Sequence, residues 1–380
     1  MSITLNTSIV SVEWLHQHLD ASNLVVLDAT ISKKSGDGIR IPKARFFSIK
    51  QKFSDVSAQF PNTFPNKEQF QDEARKLRIN KDSAIIVYDD KGIYSSPRAW
   101  WLFKCFGFEN VAVLDGGLPQ WQLKGFNTTS YTVEVYDYGN FDAELNPSLI
   151  TDFEGLQSFI ESPNSLILDA RSKARFNCEV PEPREGLRSG TITNSKNLPY
   201  TELLDGYCLK STKELSEIFS KLVTGESTLV FSCGSGITAC ILALAATECN
   251  FESLTVYDGS WTEYGTLTDK QMNDNHWTRD ELIAYILLYA SHSDLIEDNH
   301  ERNVIISKVD MQTFQKIHDE FDNDNDYQSI QKILKGIEEH NYSKEDISLL
   351  LADIKVLFFS DGDYDVMERY MLNTFKKLLN

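Results

Sequence analysis

The stretch "STLVFSCGSGITACILALA" (residues 227–245) decides how this chain reads. A short apolar run meets Cys233, then a turn carrying Gly234, Ser235 and Gly236, then a longer apolar run. The first run has the length and β-branched content of a strand buried on both faces, the second the length of a buried helix. A strand, a glycine turn and a helix start bring several backbone N–H groups to one spot, where negative charge is favoured. The residue at that spot is a thiol, and thiols placed beside a helix N-terminus or cationic groups tend to be nucleophiles.

The pattern occurs twice. "SAIIVYDDKGIYSSPRAWW" (83–101) lines up with 227–245, "VAVLDGG" (111–117) with "LTVYDGS" (254–260), and "LVVLDAT" (24–30) with "SLILDAR" (165–171). Two copies of one unit therefore occupy residues 1–266. Each alternates short β-branched runs with helical patterns, which predicts an α/β fold, a parallel sheet covered by helices. The junction at 136–148 is polar and holds Gly and Pro, so the copies divide as 1–140 and 146–266. In the first copy Asp89 stands where Cys233 stands in the second. A carboxylate cannot replace a nucleophilic thiol, so the first copy is expected to be non-catalytic, a wall or lid.

Residues 268–380 differ in character. They hold 12 Lys and Arg against 23 Asp and Glu, few Gly or Pro, and apolar residues at helical spacing, as in "DELIAYILLYASHSDLI". The expectation is a third, acidic, all-α domain. Its acidic strings fail the EF-hand pattern: counted from Asp361, Val366 and Leu372 stand where Gly and Glu are needed. Asp361, Asp363, Asp365 and Glu368 read better as helix N-terminal charges than as metal ligands.

Composition excludes several classes. A net charge of −19 argues against nucleic acid, which needs clustered Lys and Arg. The opening "MSITLNTSIVSVEWL" lacks a basic segment followed by an apolar core, and no apolar run is long enough for a bilayer. The six cysteines show no CxxC pair or zinc spacing, which predicts a reduced cytoplasmic protein with no metal site and no cofactor. Cys105, Cys240 and Cys249 read as buried structural thiols.

The second copy carries an insertion, "ARFNCEVPEPREGLRSG" (174–190), with Arg175, Arg184 and Arg188, and Arg171 just before it. Several guanidinium groups on one Pro-rich loop suit a carboxylate ligand, gripped by parallel hydrogen bonds. Pairing with Glu179, Glu182 and Glu185 on the surface is the competing reading.

With the tandem units, the "CGSGITAC" loop, "SSPRAWWLFKCFGF" and "LDGGLPQW", residues 1–266 resemble the rhodanese superfamily of sulfurtransferases. The neutral loop is similar to that of its 3-mercaptopyruvate-using members; thiosulfate-using members tend to carry basic residues there. The resemblance implies that Cys233 takes sulfur from 3-mercaptopyruvate as a persulfide and passes it to a thiol acceptor, such as a thioredoxin-like protein, or to cyanide. It implies that Ser235 assists, that Arg175 and Arg184 hold the substrate carboxylate, and that Gly234, Gly236, Ile237 and Thr238 cradle the sulfur. Thiosulfate as donor, or a sulfur-carrier or redox interaction protein loaded by a partner, are the alternatives. The helical segment looks faintly like tellurite-resistance-B-like domains.

The chain departs from that pattern in two places: the family's "GHIPGA" reads "GTITNS" (190–195) in the second copy, losing its His and Pro, and the first copy differs after its "FF". Members of this group carry an Asp after the first copy's "FF" and a His before the next Pro, which with the loop Ser can form a relay. In "RFFSIKQKFSDVSAQFPNTFP" (45–65) Lys50 falls at the Asp and Asn62 near the His, and no His lies between residues 19 and 275.

Overall fold

The computed structural model describes residues 2–31, 38–130, 136–184, 186–225, 228–274, 277–292, 299–322, 324, 326–360 and 366–378. The chain divides into two compact units, residues 1–266 and 267–380.

The first unit holds two five-stranded parallel sheets. One runs Ile9–Val10, Val111–Leu114, Ala84–Tyr88, Leu24–Asp28, Arg45–Phe46. The other runs Ile150–Thr151, Ser253–Tyr257, Thr228–Ser232, Ser165–Asp169, Ser195–Asn197. With strands counted within each copy, the order is 1-5-4-2-3 in both, so the sequence repeat is a repeat of topology. All five residues of Ala84–Tyr88 are buried, as are the last four of Thr228–Ser232. Helices cover both faces, which is why these strands are apolar throughout rather than alternating.

Each fourth strand is followed by a helix, Ser96–Cys105 or Ala239–Glu248. Both are apolar nearly all round because each lies between its own sheet and its sister helix. Trp101, Phe103, Ile241 and Leu242 consequently belong to one continuous core, which joins the two copies into a single unit.

Residues 136–146 form no helix or strand, as a linker should. They are nevertheless sewn to the first copy: the N–H groups of Gly139 and Phe141 donate to Arg75 and Ile79 carbonyls, and those of Glu144 and Asn146 to Phe106 and Cys105. Phe141 and Ala143 are buried.

The second unit is helical, as its spacing implies, with helices Arg279–Ser291, Asn299–Lys308, Met311–Phe321, Asp326–Glu339, Lys344–Phe358 and Val366–Leu378. Reciprocal side-chain caps start Arg279–Ser291, from Thr278 and Glu281, and Lys344–Phe358, from Ser343 and Asp346. Arg279–Ser291 is buried along most of its length among Ile305, Phe314, Ile333 and Ile354. Lys332 lies between Glu320 and Asp324 at 2.6 and 2.5 Å, a cationic group already seated between two carboxylates. Asp361, Asp363, Asp365 and the Glu368 side chain lie outside the described residues. Among the described residues, no three His, Cys, Asp or Glu side chains are grouped to hold a metal ion, and no helix is long and apolar enough to cross a membrane.

Candidate active site

Cys233 follows the fourth strand of the second sheet, and Arg171 follows the neighbouring second strand. From these two strands the chain proceeds to opposite sides of the sheet, the switch point at which open α/β sheets bind ligands. A cleft of about 890 Å³ lies there. Cys233, Gly234, Ser235, Ile237, Thr238, Arg175 and Arg184 line it, together with Lys50 and Asn62 from the first copy. Gly236 does not. It sits behind the loop at φ +77, where a Cβ would come within 2.6 Å of the Asp258 carbonyl oxygen.

The loop is braced by a residue that the sequence reading did not single out. The Ser260 Oγ accepts from the N–H groups of Cys233 and Gly236, each at 3.1 Å. Its own hydrogen has the Tyr257 carbonyl at 3.0 Å and the Cys233 sulfur at 3.8 Å within reach. Ser260 adopts φ +51, matching φ +48 at its counterpart Gly117. A non-glycine residue kept in the left-handed region costs on the order of 1–3 kcal/mol, a cost found most often at functional sites. The carbonyls of Cys233 and Gly234 are tied back by the N–H groups of Trp261 and Thr262, each at 3.0 Å.

The twin loop shows what the turn can hold. Asp89 is fully buried, and its carboxylate accepts from the N–H groups of Lys91, Tyr94, Ser95 and Ser96 at 2.8–2.9 Å, and from the Ser96 hydroxyl at 2.7 Å. The corresponding amides beside Cys233 are those of Ser235, Thr238, Ala239 and Cys240. The last is spent on the Ile237 carbonyl; the other three hold no acceptor among the described residues. The first copy thus fills the cradle with its own carboxylate, and the second leaves it open around a sulfur.

The arginines separate into two kinds. Arg171 is buried, paired with Asp169 at 2.7 Å and Glu182 at 3.0 Å. Arg175 grips the same Glu182 through Nε at 3.1 Å and Nη2 at 2.5 Å, while Nη1 has no partner among the described residues. Its guanidinium lies over Gly234, where a Cβ would approach Nη2 to 3.0 Å. The surface pairing weighed from the sequence is therefore a buried one: Glu182 is 8 % exposed and positions Arg175 within the cleft. Arg184 is exposed, with no ion pair among the described residues.

From the first copy, Asn62 Nδ2 donates to Ser235 Oγ at 3.0 Å and to the Ser235 carbonyl at 3.2 Å. Behind it lies the fully buried Arg98, which donates to the Asn62 carbonyl at 2.8 Å, the Gly236 carbonyl at 3.3 Å and Asp258 at 2.7 Å. Burial disfavours the charge on Arg98, and the Asp258 carboxylate more than offsets this, raising its pKa above the ordinary arginine value. Asp258 also accepts from the Phe64 N–H at 2.7 Å. Both copies thus hold the Cys233 loop. Lys50 is exposed on the cleft wall and holds no partner among the described residues.

Burial works against thiolate formation at the other five cysteines. Burial pushes the thiols of Cys240 up to about 12 and Cys208 up to about 11, and raises those of Cys105, Cys178 and Cys249. Cys105 and Cys240 are buried as expected, whereas Cys249 caps its helix half-exposed.

Known proteins resemble this chain across both copies. The rhodanese-like domain family matches twice, at residues 11–124 and 152–266. A 3-mercaptopyruvate sulfurtransferase of Escherichia coli K12 is 36% identical over 273 residues, covering 69% of this chain and 96% of that one. The thiosulfate/3-mercaptopyruvate sulfurtransferase 1 of Arabidopsis thaliana, a mitochondrial protein, is 34% identical over 298 residues, covering 70% and 78%. The crystal structure of the E. coli 3-mercaptopyruvate enzyme SseA superposes with a TM-score of 0.60 at 34% identity, covering 67% of this chain and 99% of that one.

Proposed function

The chain belongs to the rhodanese family of sulfurtransferases, and from that premise we propose that it moves sulfur from 3-mercaptopyruvate through a Cys233 persulfide to a thiol. The observation that carries the proposal is the open amide cradle around Cys233, set against its twin filled by Asp89.

The Cys233 thiolate attacks the donor sulfur. A sulfur–sulfur bond forms, the carbon–sulfur bond breaks, and its electron pair leaves as the enolate of pyruvate. The unspent amides of Ser235, Thr238 and Ala239 stabilise charge on the persulfide. Arg175, through its unpaired Nη1, and Arg184 hold the donor carboxylate. An acceptor thiolate, from a thioredoxin-like protein or a small thiol, then attacks the outer sulfur and restores the Cys233 thiolate. The first copy is non-catalytic and supplies a wall of the cleft. Six unpaired cysteines fit a reducing compartment such as the cytoplasm.

Steady-state turnover with free 3-mercaptopyruvate tests this against a carrier role. Pyruvate release in step with acceptor persulfide supports the enzyme; negligible turnover alongside fast loading from a persulfide-bearing protein overturns it.

A further inference from the structure

No histidine lies between residues 19 and 275, and His16 and His18 of the first copy stack on Phe126 and Trp14 and do not line the cleft, so neither copy offers Ser235 a histidine as a proton relay. What faces the serine instead is Asn62, with Nδ2 at 3.0 Å from Oγ. The orientation of that amide is fixed by a second contact. The same atom lies 3.2 Å from the Ser235 carbonyl oxygen, which only accepts, so the group facing the serine is the N–H donor. Asn62 is itself held: its carbonyl takes the hydrogen bond from the buried Arg98, and its φ of +62 is a conformation that Asn and Asp tolerate better than most residues.

A serine hydroxyl has one hydrogen and two lone pairs. Here Asn62 occupies a lone pair, and the hydrogen has no acceptor among the described residues, while Oγ belongs to a residue on the cleft wall beside Cys233. We infer that Asn62 is a positioning residue that fixes Ser235 as a hydrogen-bond donor toward the leaving enolate oxygen and denies it the part of a base.

This rests on the sulfurtransfer reading above, and the proton balance of that reaction allows it. The Cys233 thiolate and the donor thiol give Cys233–S–S⁻ and pyruvate; the proton lost from the donor sulfur ends on the methyl carbon. No proton is taken up or released, so the step needs no added base, only stabilisation of the enolate oxygen before its carbon is protonated. The titratable groups facing this site are Cys233, Lys50, Asp55, Tyr94, Glu182 and Tyr200, with Arg171, Arg175 and Arg184 as fixed cations.

Asn62→Asp tests the direction of the hydrogen bond with little change of shape or backbone preference. Its carboxylate accepts the Ser235 hydrogen and withdraws it from the cleft. The expected result is a fall in kcat on the order of 10²-fold, matching Ser235→Ala, with KM little changed. The Asn62→Asp/Ser235→Ala pair should be no worse than Ser235→Ala alone. Asn62→His should add an ionisation near pH 6.5 (roughly) to the kcat profile that wild type lacks. Wild-type kcat in Asn62→Asp, or an equal loss from it in the Ser235→Ala background, overturns the inference. If wild-type protein takes no sulfur from mercaptopyruvate at all, the underlying reading fails instead.

Discussion

Asp89 and Cys233 end the same strand in two copies of one fold, and the loops that follow them differ in what they enclose. Around Asp89 four backbone N–H groups and a hydroxyl converge on a carboxylate with no exposure to water. Around Cys233 the loop is held from behind, by Ser260 and by Arg98 from the other copy, and its front amides are unspent. One loop directs its hydrogen bonds to its own stability; the other holds them ready for charge that arrives with a ligand. On the proposed function, a fold duplicated in sequence divides the labour, and two residues, Asp89 and Ser260, mark the division.

The comparison can be broken by exchanging the residues. Cys233→Asp should convert the second loop into a copy of the first: sulfurtransfer, followed as pyruvate release, disappears, while urea denaturation shows stability equal to or above wild type. A residual rate in this variant would mean that sulfur passes elsewhere. Next in size is Arg175→Ala, expected to lower kcat/KM for mercaptopyruvate by roughly 10²–10³-fold, because a charge-assisted contact to the substrate carboxylate is lost. The same variant should affect thiosulfate less, since that donor has no carboxylate.

Asp89→Cys is the reverse exchange. It should create no activity, because the first loop lacks the arginines of the insertion, and it should destabilise the protein by about 2–4 kcal/mol through the loss of charged hydrogen bonds in a buried place. Smallest is Ser260→Gly, which makes the brace resemble Gly117. Relief of the left-handed backbone offsets part of the lost hydroxyl, so melting should shift little, while kcat falls by about tenfold, the equivalent of about 1.4 kcal/mol, as the Cys233 loop loosens. A melting shift as large as that of Asp89→Cys would show that Ser260 serves stability rather than the loop.

The repeat, the strands and the paired loops were legible because each rests on local pattern: apolar runs, glycines at a turn, a helix start. Arg175, Arg184 and Ser235 were singled out by the resemblance to rhodanese sequences, and the fold brings them to one cleft. Arg98 was not. It lies inside the apolar stretch "SSPRAWW" and finds Asp258 160 residues away, a pairing that exists only once the two copies pack. Glu182 looked exposed in a Pro- and Arg-rich loop, and is buried because Arg171 and Arg175 neutralise it from two sides. Asn62 read as the loss of a histidine; only the contact with Ser235 gives it a part of its own. The polar composition of the linker marked the division between the copies but not the bonding of its backbone along the first copy.

The central claim is that the open loop carries the sulfur. Single-turnover treatment with 3-mercaptopyruvate, followed by intact mass and peptide mapping, reads this directly. The account predicts a gain of one sulfur atom on the peptide containing Cys233, removed by added thiol and absent in Cys233→Ala. A sulfur gain that persists in Cys233→Ala, or that maps to any of the other five cysteines, would contradict it.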